Sequence, residues 1–228
     1  MSEYLPAPEP ERFPDLSADP RWVREVPAGT ALFRIFRAGG AHATEWFEFR
    51  EFGPLDARFD PHPEPVGEHP GRGVLYTVVE SRAAAESAPG PVLDSAFAAC
   101  LLEVFQQHRI IRRVAGAPTL AAFEITRTLR LLDLSDSDWI TVAGGNAAIA
   151  SGERSRARSW ARAIRAAYPE LDGVVAASSI VPTARVAALW APAESALPRH
   201  PLALLRLDRE ELTPVIDAIA ERYGYVLL

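Results

Sequence analysis

The order of apolar and polar positions divides the chain into strand-like and helix-like segments. Residues 30–37 (TALFRIFR) alternate, with Leu32, Arg34 and Phe36 on one face, and this period of two predicts a β-strand. Residues 73–79 (GVLYTVV) predict a second strand and residues 124–134 (EITRTLRLLDL) a third. Three short strands are expected at residues 173–181, 185–191 and 202–207.

Apolar residues at one-turn spacing predict two helices in the middle of the chain. The first covers residues 94–109, with Asp94 as N-cap and with a stripe formed by Phe97, Leu101, Val104 and Phe105. The second covers residues 155–168, and its predicted buried face comprises Ala157, Trp160, Ala161, Ile164, Ala167 and Tyr168. Its arginines are expected to form a solvated face; they are Arg156, Arg158, Arg162 and Arg165.

A last helix is predicted between Thr213 as N-cap, with Pro214 at the first helical position, and Gly224 as the closing residue. Its apolar residues are expected to belong to the core; they are Leu212, Val215, Ile216 and Ile219. Strands and helices therefore mix without strict β–α–β alternation. This order favours an α+β fold with an antiparallel sheet.

Prolines and glycines mark the irregular parts of the chain. Residues 1–29 contain six prolines and are predicted to form an extended arm on the domain, anchored by Trp22. Residues 45–72 form a long Pro-rich connection, and such connections are usually functional or mobile. Residues 80–93 are interpreted as an insertion or a loose helix. The organisation is thus an arm, residues 1–29, followed by a single domain, residues 30–228.

Composition narrows the classes of function. The 228 residues include 24 basic and 30 acidic side chains, a net charge of −6, and all 24 cations are arginines. The acidic balance argues against a protein that grips nucleic acid by bulk positive charge. The lack of lysine excludes Schiff-base and P-loop chemistry. One cysteine, no long apolar run and no signal-peptide pattern lead us to expect a cytoplasmic protein without membrane contact.

Standard catalytic motifs are missing from the sequence. His62 and His69 lie in a Pro-rich segment without helical spacing, so we interpret them as part of a loop surface and expect no metal. Cys100 precedes Leu101 in the first helix and is interpreted as a small packed side chain rather than a nucleophile.

Five polar side chains stand in apolar surroundings and form the candidate site. Ionised arginine and glutamate are rarely buried unless they are paired or functional. One interpretation is therefore an ion pair between Glu103 and one of two arginines that only neutralises charge, and the other is a functional site. The five residues are Arg34, Arg58, Tyr76, Glu103 and Ser178.

These residues lie in segments that, taken in order, resemble the RES-domain family, the toxin component of many bacterial type II toxin–antitoxin systems. The segments are FRIFR, DARFDPHP, GVLYTV, LLEVFQ, RLLDLSD and residues 148–180 (AIASGERSRARSWARAIRAAYPELDGVVAASSI). The resemblance covers about residues 30–191. It implies an ADP-ribosyltransferase-like fold with a split, mostly antiparallel β core flanked by helices and with NAD in its cleft.

The resemblance also implies an activity and the residues that perform it. The chemistry implied is cleavage of the nicotinamide–ribose bond of NAD, by hydrolysis or phosphorolysis, or else ADP-ribosylation of a protein. Glu103, Arg34 and Tyr76 would be catalytic, and Arg34, Arg58, Tyr76 and Ser178 would bind NAD as substrate. A cognate antitoxin protein is the implied partner, and a homodimer is left open.

Departures from the family pattern keep two other interpretations open. Many members have Arg-Trp-Asn where this chain has Arg58-Phe59-Asp60, and an aromatic residue where it has Ala176-Ala177. A catalytically quiet RES-like binding module is therefore one alternative. A serine hydrolase that uses Ser178 with a histidine is the other, although no histidine lies in a suggestive motif.

Overall fold

The computed structural model describes residues 4–80 and 95–228. The strands of this part are β1 (Val23–Val26), β2 (Ala31–Arg37), β3 (Phe52–Gly53), β4 (Gly67–Glu68), β5 (Val74–Val79), β6 (Ile110–Ile111), β7 (Pro118–Glu124), β8 (Leu129–Asp133), β9 (Gly173–Ala177), β10 (Arg185–Trp190), β11 (Ala203–Arg206) and β12 (Val226–Leu227). The α-helices are α1 (Ala96–Phe105), α2 (Trp139–Val142), α3 (Ala148–Ser151), α4 (Arg154–Ala167) and α5 (Thr213–Tyr223).

Eight strands of the described residues form one twisted sheet in the order β1-β8-β9-β10-β5-β2-β7-β11. Within it only β8 and β9 are parallel neighbours. A parallel pair needs a crossover connection, which α2, α3 and α4 supply here. The fold is therefore α+β with a large, mostly antiparallel sheet flanked by helices, as predicted.

The sheet is split between the neighbouring strands β5 and β2. β2 pairs with β7 over all seven of its residues, but with β5 only through Leu32–Val79 and Phe33–Val78. β5 pairs with β10 along its whole length. Beyond Phe33 the strands β2 and β5 therefore separate. Arg34 and Tyr76 belong to the two strands that border this gap, and α1 packs on the same strands.

The core has three parts, of which two lie along the same face of the sheet, since Val78 of β5 belongs to one and Val74 to the other, and the third, which includes Leu75, lies on the opposite face. Helices α1 and α5 bury Leu101, Leu102, Ile216 and Ile219 against Ile35 and its neighbours. Helix α4 buries Trp160 in a second cluster with Trp139 and Trp190. The predicted core roles of the apolar residues in α5 and of the apolar face of α4 are confirmed, except that Ala167 is exposed.

The N-terminal residues 4–29 lie on this second cluster. Leu5 is buried, the Phe13 ring stacks on Trp160, and Trp22 is buried and donates a hydrogen bond from Nε1 to Asp138 at 2.7 Å. Trp22 therefore anchors the N-terminal arm, as predicted. The arm differs from a purely extended segment because Val23–Val26 forms β1 at the edge of the main sheet, where pairing with β8 satisfies its backbone.

Three predicted element boundaries are wrong. Residues 124–134 are not one strand, because β7 ends at Glu124 and the chain turns before β8 begins at Leu129. The helix predicted for 94–109 covers only Ala96–Phe105, and the Ser95 side chain, not that of Asp94, accepts the capping bond from the Ala98 amide. Asp94 and the segment interpreted as an insertion, apart from its first residue, lie outside the described residues.

The third difference concerns the start of α5, where Thr213 is the first helical residue and its hydroxyl accepts a hydrogen bond from Arg113 instead of capping the helix. The predicted end is confirmed, because Gly224 has a left-handed φ of 68°, which glycine adopts without strain. In the described part of the chain, no helix is long and apolar enough to cross a membrane.

The arginines of α4 do not form the solvated face predicted from the sequence. Arg158 forms an ion pair with Asp56 at 3.2 Å, Arg165 donates to the Gly71 carbonyl, and the guanidinium of Arg156 lies over the Tyr4 ring. Arg162 donates to the Ser159 hydroxyl on the same helix. Sequence periodicity shows which residues leave the apolar face, but not that loops and the N-terminal arm cover the polar one.

Candidate active site

A cavity of about 610 Å³ opens where β2 and β5 separate. Four of the five candidate residues line it, namely Arg34, Arg58, Tyr76 and Glu103, so the structure brings together side chains that are up to 69 positions apart in the sequence. Ser178 lies directly behind the lining. A second, more open concavity of about 510 Å³ beside Trp46 and Glu194 contains none of the five.

Glu103 is held in place by three donors. Its Oε1 accepts hydrogen bonds from the Ser178 hydroxyl at 2.5 Å and from the Ser179 amide at 3.1 Å. Its Oε2 accepts a bond from the side-chain amide of Gln106 at 3.0 Å. Because Gln106 lies one turn further along from Glu103 and the serines follow β9, helix and sheet together fix the carboxyl group. No ion pair joins Glu103 to an arginine within the described residues.

Ser178 acts on Glu103 rather than facing the cavity. It is 3% exposed, and its Oγ also accepts hydrogen bonds from the amides of Ile180 and Val181. The predicted direct contact of Ser178 with NAD stays a prediction. No histidine hydrogen-bonds to Ser178, and all five histidines belong to the described residues. A hydrolase nucleophile activated by histidine therefore has no base in this arrangement.

Arg34 carries a charge that no described carboxylate pairs. One of its terminal nitrogens, Nη1, donates to the carbonyls of Trp46 at 3.0 Å and Glu48 at 3.3 Å, which ties β2 to the following loop. Its buried Nε has no hydrogen-bond partner among the described residues. Burial lowers the pKa of Arg34 to about 10, so the guanidinium remains charged at neutral pH.

Arg58 is the second arginine without a carboxylate partner in the described part of the chain. Its Nη1 donates to the Gly152 carbonyl at 2.7 Å, just before α4. Burial and the nearby charge of Arg154 both lower the pKa of Arg58, while the negative charges of Glu103 and Asp56 oppose this. The adjacent Phe59 is buried with a φ of 66°, an uncommon value for a bulky residue. The chain is therefore held in a defined turn at this point.

Tyr76 contributes a phenol hydroxyl that is buried and has no hydrogen-bond partner among the described residues. Burial raises the pKa of Tyr76, so the phenol stays protonated. The guanidinium of Arg50 and the carboxylate of Asp60 lie close enough to influence it electrostatically. A buried hydroxyl of this kind calls for a hydrogen-bond partner, which a ligand or an ordered water can supply.

The sequence interpretation of His62 is wrong, because this residue is fully buried rather than part of a loop surface. Its Nδ1 lies 2.6 Å from Oδ1 of Asp60, which is also fully buried, and Oδ2 of Asp60 accepts a bond from Arg50 at 2.7 Å. A Cβ on Gly53 would lie 2.4 Å from the His62 ring, so only glycine fits beside it. Periodicity gives no signal for these residues, since the 45–72 segment is irregular.

Two further sequence interpretations concern metal and thiol chemistry. Among the described residues no group of three or more histidine, cysteine, aspartate or glutamate side chains could hold a metal ion. Cys100 is buried, donates from Sγ to the Phe33 carbonyl, and burial raises its pKa. The prediction of a small packed cysteine is confirmed.

The comparisons with known proteins give little beyond the fold. No protein-family model matches the chain, and no curated protein matches it in sequence. Among solved structures, the fold is similar to a chain in the crystal structure of the M. tuberculosis MbcT–MbcA toxin–antitoxin complex. The identity is 16%, the TM-score is 0.46, and the match covers 85% of this chain and 91% of that chain.

Proposed function

We propose that the protein is a toxin-like enzyme that consumes NAD by cleaving the nicotinamide–ribose bond. The observation that carries this proposal is the fixed Glu103 carboxyl group in one cavity with two arginines that form no ion pair with a described carboxylate. The resemblance of the sequence to the RES-domain family supplies the substrate. The NAD identity, the reaction and the antitoxin partner all belong to the proposal.

The two arginines suit the pyrophosphate of a dinucleotide. One N–H of Arg58 and one terminal nitrogen of Arg34 already donate hydrogen bonds within the described structure. Each side chain therefore has further N–H donors for phosphate oxygens. Guanidinium groups bind such oxygens in a planar, bidentate manner that ammonium groups do not reproduce. The net charge of −6 does not oppose this, because a dinucleotide requires only a few cations that converge in one cleft.

Glu103 suits the developing charge of the reaction. When the glycosidic C–N bond breaks, its electron pair leaves with nicotinamide and positive charge develops on the ribose. A carboxyl group held by Ser178, Ser179 and Gln106 needs no rearrangement to stabilise this charge. In hydrolysis the oxygen of water then bonds to the ribose carbon and its proton passes to the solvent, whereas in phosphorolysis an unprotonated phosphate oxygen forms this bond. A protein side chain as acceptor would instead make the enzyme an ADP-ribosyltransferase.

The test is release of nicotinamide from NAD by the purified protein, measured with and without inorganic phosphate. We expect release by the wild type and a loss on the order of 10²–10³-fold in Glu103→Gln, which keeps the shape but removes the charge. The matched control is Glu210→Gln, an exposed residue before α5. Full turnover by a folded Glu103→Gln variant, or no turnover by the wild type, would contradict the proposal.

The products of the same assay identify the group that accepts the ADP-ribose. ADP-ribose indicates hydrolysis, ADP-ribose 1-phosphate formed only with phosphate indicates phosphorolysis, and labelled protein indicates ADP-ribosylation. A wild type that binds NAD without any of these products favours the catalytically quiet module instead.

A further inference from the structure

Arg50 is a third arginine in the cavity, and it is fixed more firmly than the other two. Its backbone forms two hydrogen bonds with Val74, at 3.0 and 3.1 Å, which join it to the first residue of β5. Its Nη2 donates to Asp60 at 2.7 Å and its Nη1 to the Phe52 carbonyl. Main chain and side chain are therefore both anchored, and the guanidinium is held at one position in the lining.

Asp60 is the counter-ion of the Arg50 guanidinium. It is fully buried, and its two oxygens accept hydrogen bonds from the amides of Leu55 and His62, from the His62 ring and from Arg50. Burial acts to raise the pKa of Asp60, but these bonds and the charge of Arg50 outweigh it and lower the pKa. Arg50 and Asp60 thus form an ionised pair with no net charge.

Such a pair differs chemically from the arginines beside it. A guanidinium has five N–H donors, and Arg50 has used two of them within the described structure, so donors remain for a ligand. Because Asp60 neutralises the pair, these donors suit an uncharged acceptor oxygen. Arg34 and Arg58, which no described carboxylate pairs, suit an anion. We call the part of the lining at Arg50 the neutral end of the cavity, and the part at Arg34 and Arg58, which form no ion pair although Glu48 also lines the cavity, its cationic end.

The hydroxyl of Tyr76 belongs to the neutral end. Tyr76 lies two residues along β5 from Val74, the residue that pairs with Arg50, and both Arg50 and Tyr76 line the cavity. The hydroxyl is buried and forms no hydrogen bond of good geometry with a described residue, and Arg50 is the guanidinium next to it. A protonated phenol next to a charge-balanced guanidinium offers donors for one oxygen and an acceptor for one N–H. An uncharged carboxamide has both groups on one carbon.

We propose that Arg50 and Tyr76 form a carboxamide subsite, with Arg50 as a specificity-determining residue and Asp60 as its positioning residue. This inference rests on the proposed function, since it assigns the nicotinamide group of NAD to this end of the cavity and the pyrophosphate to Arg34 and Arg58. Neither Arg50 nor Asp60 was singled out by the sequence as a site residue.

The experiment compares two ligands that each occupy one end. The inhibition constants of nicotinamide and of ADP-ribose are measured against NAD cleavage for the wild type, Arg50→Met and Arg58→Met. We expect Arg50→Met to weaken nicotinamide about tenfold or more while ADP-ribose changes less than about twofold, as loss of a charge-assisted hydrogen bond predicts. Arg58→Met is expected to do the reverse. Arg206→Met, an exposed residue of β11, is the matched control.

Two further variants separate positioning from folding. Arg50→Met leaves Asp60 as an unpaired buried charge, so Arg50→Met/Asp60→Asn removes both members of the pair and should show the same ligand selectivity in a stable protein. Asp60→Asn alone removes the counter-charge of Arg50, and we expect it to weaken nicotinamide but not ADP-ribose.

The results distinguish this inference from the proposed function. If the wild type cleaves NAD but Arg50→Met weakens both ligands equally, or leaves nicotinamide unchanged, the carboxamide subsite is wrong and the proposed function stands. If the wild type neither cleaves NAD nor binds either ligand, the proposed function itself fails.

Discussion

Two sets of arginines, one on helix α4 and one in the cleft, show how the same side chain serves two purposes in a chain without lysine. On α4, Arg154 and Arg158 share Asp56, at 2.8 and 3.2 Å, and Arg165 donates to a backbone carbonyl. In the cleft, Arg34 and Arg58 bond to carbonyl groups and form no ion pair with a carboxylate among the described residues. Composition alone makes the two sets look alike.

The difference lies in what surrounds each guanidinium. On α4 the arginines reach across to residues 56, 71 and the N-terminal arm, so they hold irregular segments against the helix. In the cleft, burial lowers the pKa of both arginines, which means that their charge is maintained at a cost to the fold, and the same holds for Arg165 on α4. What separates the two sets is the cavity, since Arg34 and Arg58 line it and Arg165 does not. We therefore expect changes on α4 to affect stability, and changes in the cleft to affect ligand binding.

The largest effect is expected from Trp160→Ala on the buried face of α4. Trp160 is fully buried, and its Nε1 donates to the Pro6 carbonyl at 2.8 Å. We expect the free energy of unfolding, measured by urea denaturation, to fall by about 3–5 kcal/mol because a large cavity forms. Trp160→Phe should lose less. If Trp160→Ala kept its stability but lost NAD cleavage, the division between helix and cleft would be wrong.

The next effect is expected from Arg58→Met, which addresses the cleft. The KM for NAD should rise about 10- to 100-fold, which corresponds to the 1.5–3 kcal/mol typical of a hydrogen bond to a charged group. Stability should change by less than about 1 kcal/mol, because the lost bond to the Gly152 carbonyl is offset by removal of a desolvated charge. A marked drop in stability with an unchanged KM would make Arg58 a structural arginine like those of α4.

The sequence was sufficient to predict the fold class and four residues of the cavity lining. It did not predict the residues of segments in which the spacing of apolar positions carries no information. Arg34 and Glu103 were conspicuous because each interrupts a periodic apolar pattern. Arg50, Asp60 and His62 were not, since they lie in an irregular segment where no period distinguishes buried from exposed positions.

The missed boundary between β7 and β8 has a related cause. Residues 118–123 of β7 are all buried, so they lack the alternation that marks a strand with one exposed face. The turn after Glu124 contains polar residues that continue an alternating pattern into β8. The pattern therefore predicted one strand where the chain reverses. A run buried on both faces can be assigned only when its neighbours in the sheet are known.

A smaller effect is expected from Ser178→Ala, which is buried yet acts on the cleft. Its hydroxyl donates to Glu103 at 2.5 Å, so its loss should lower kcat about tenfold by releasing the carboxyl group and cost about 1 kcal/mol of stability. Ser179→Ala is the matched control, because Ser179 reaches Glu103 through its backbone amide, which the exchange retains. Equal kcat values for the two variants would show that Ser178 does not position Glu103.

The smallest effect is expected from Asp56→Asn, which removes the carboxylate that Arg154 and Arg158 share. Asp56 remains largely exposed, and exposed ion pairs contribute about 0–1 kcal/mol, so the free energy of unfolding should fall by less than about 1 kcal/mol.

The hydrogen bond from Arg154 is the main cause of a lowered pKa of Asp56. The stabilisation by the charge of Asp56 is therefore complete above pH 3.8, the ordinary pKa of aspartate. It is lost as the pH falls from there through the lowered pKa of Asp56 in the folded protein. Urea denaturation at pH 7 and at acidic pH should show the wild type and Asp56→Asn converging at acidic pH, and salt should narrow the difference at pH 7. A difference that persists in acid would mean that Asp56 stabilises the loop by packing rather than by charge. The contrast between Arg154 and Arg158, which Asp56 pairs, and the unpaired cleft arginines would then lose its electrostatic basis.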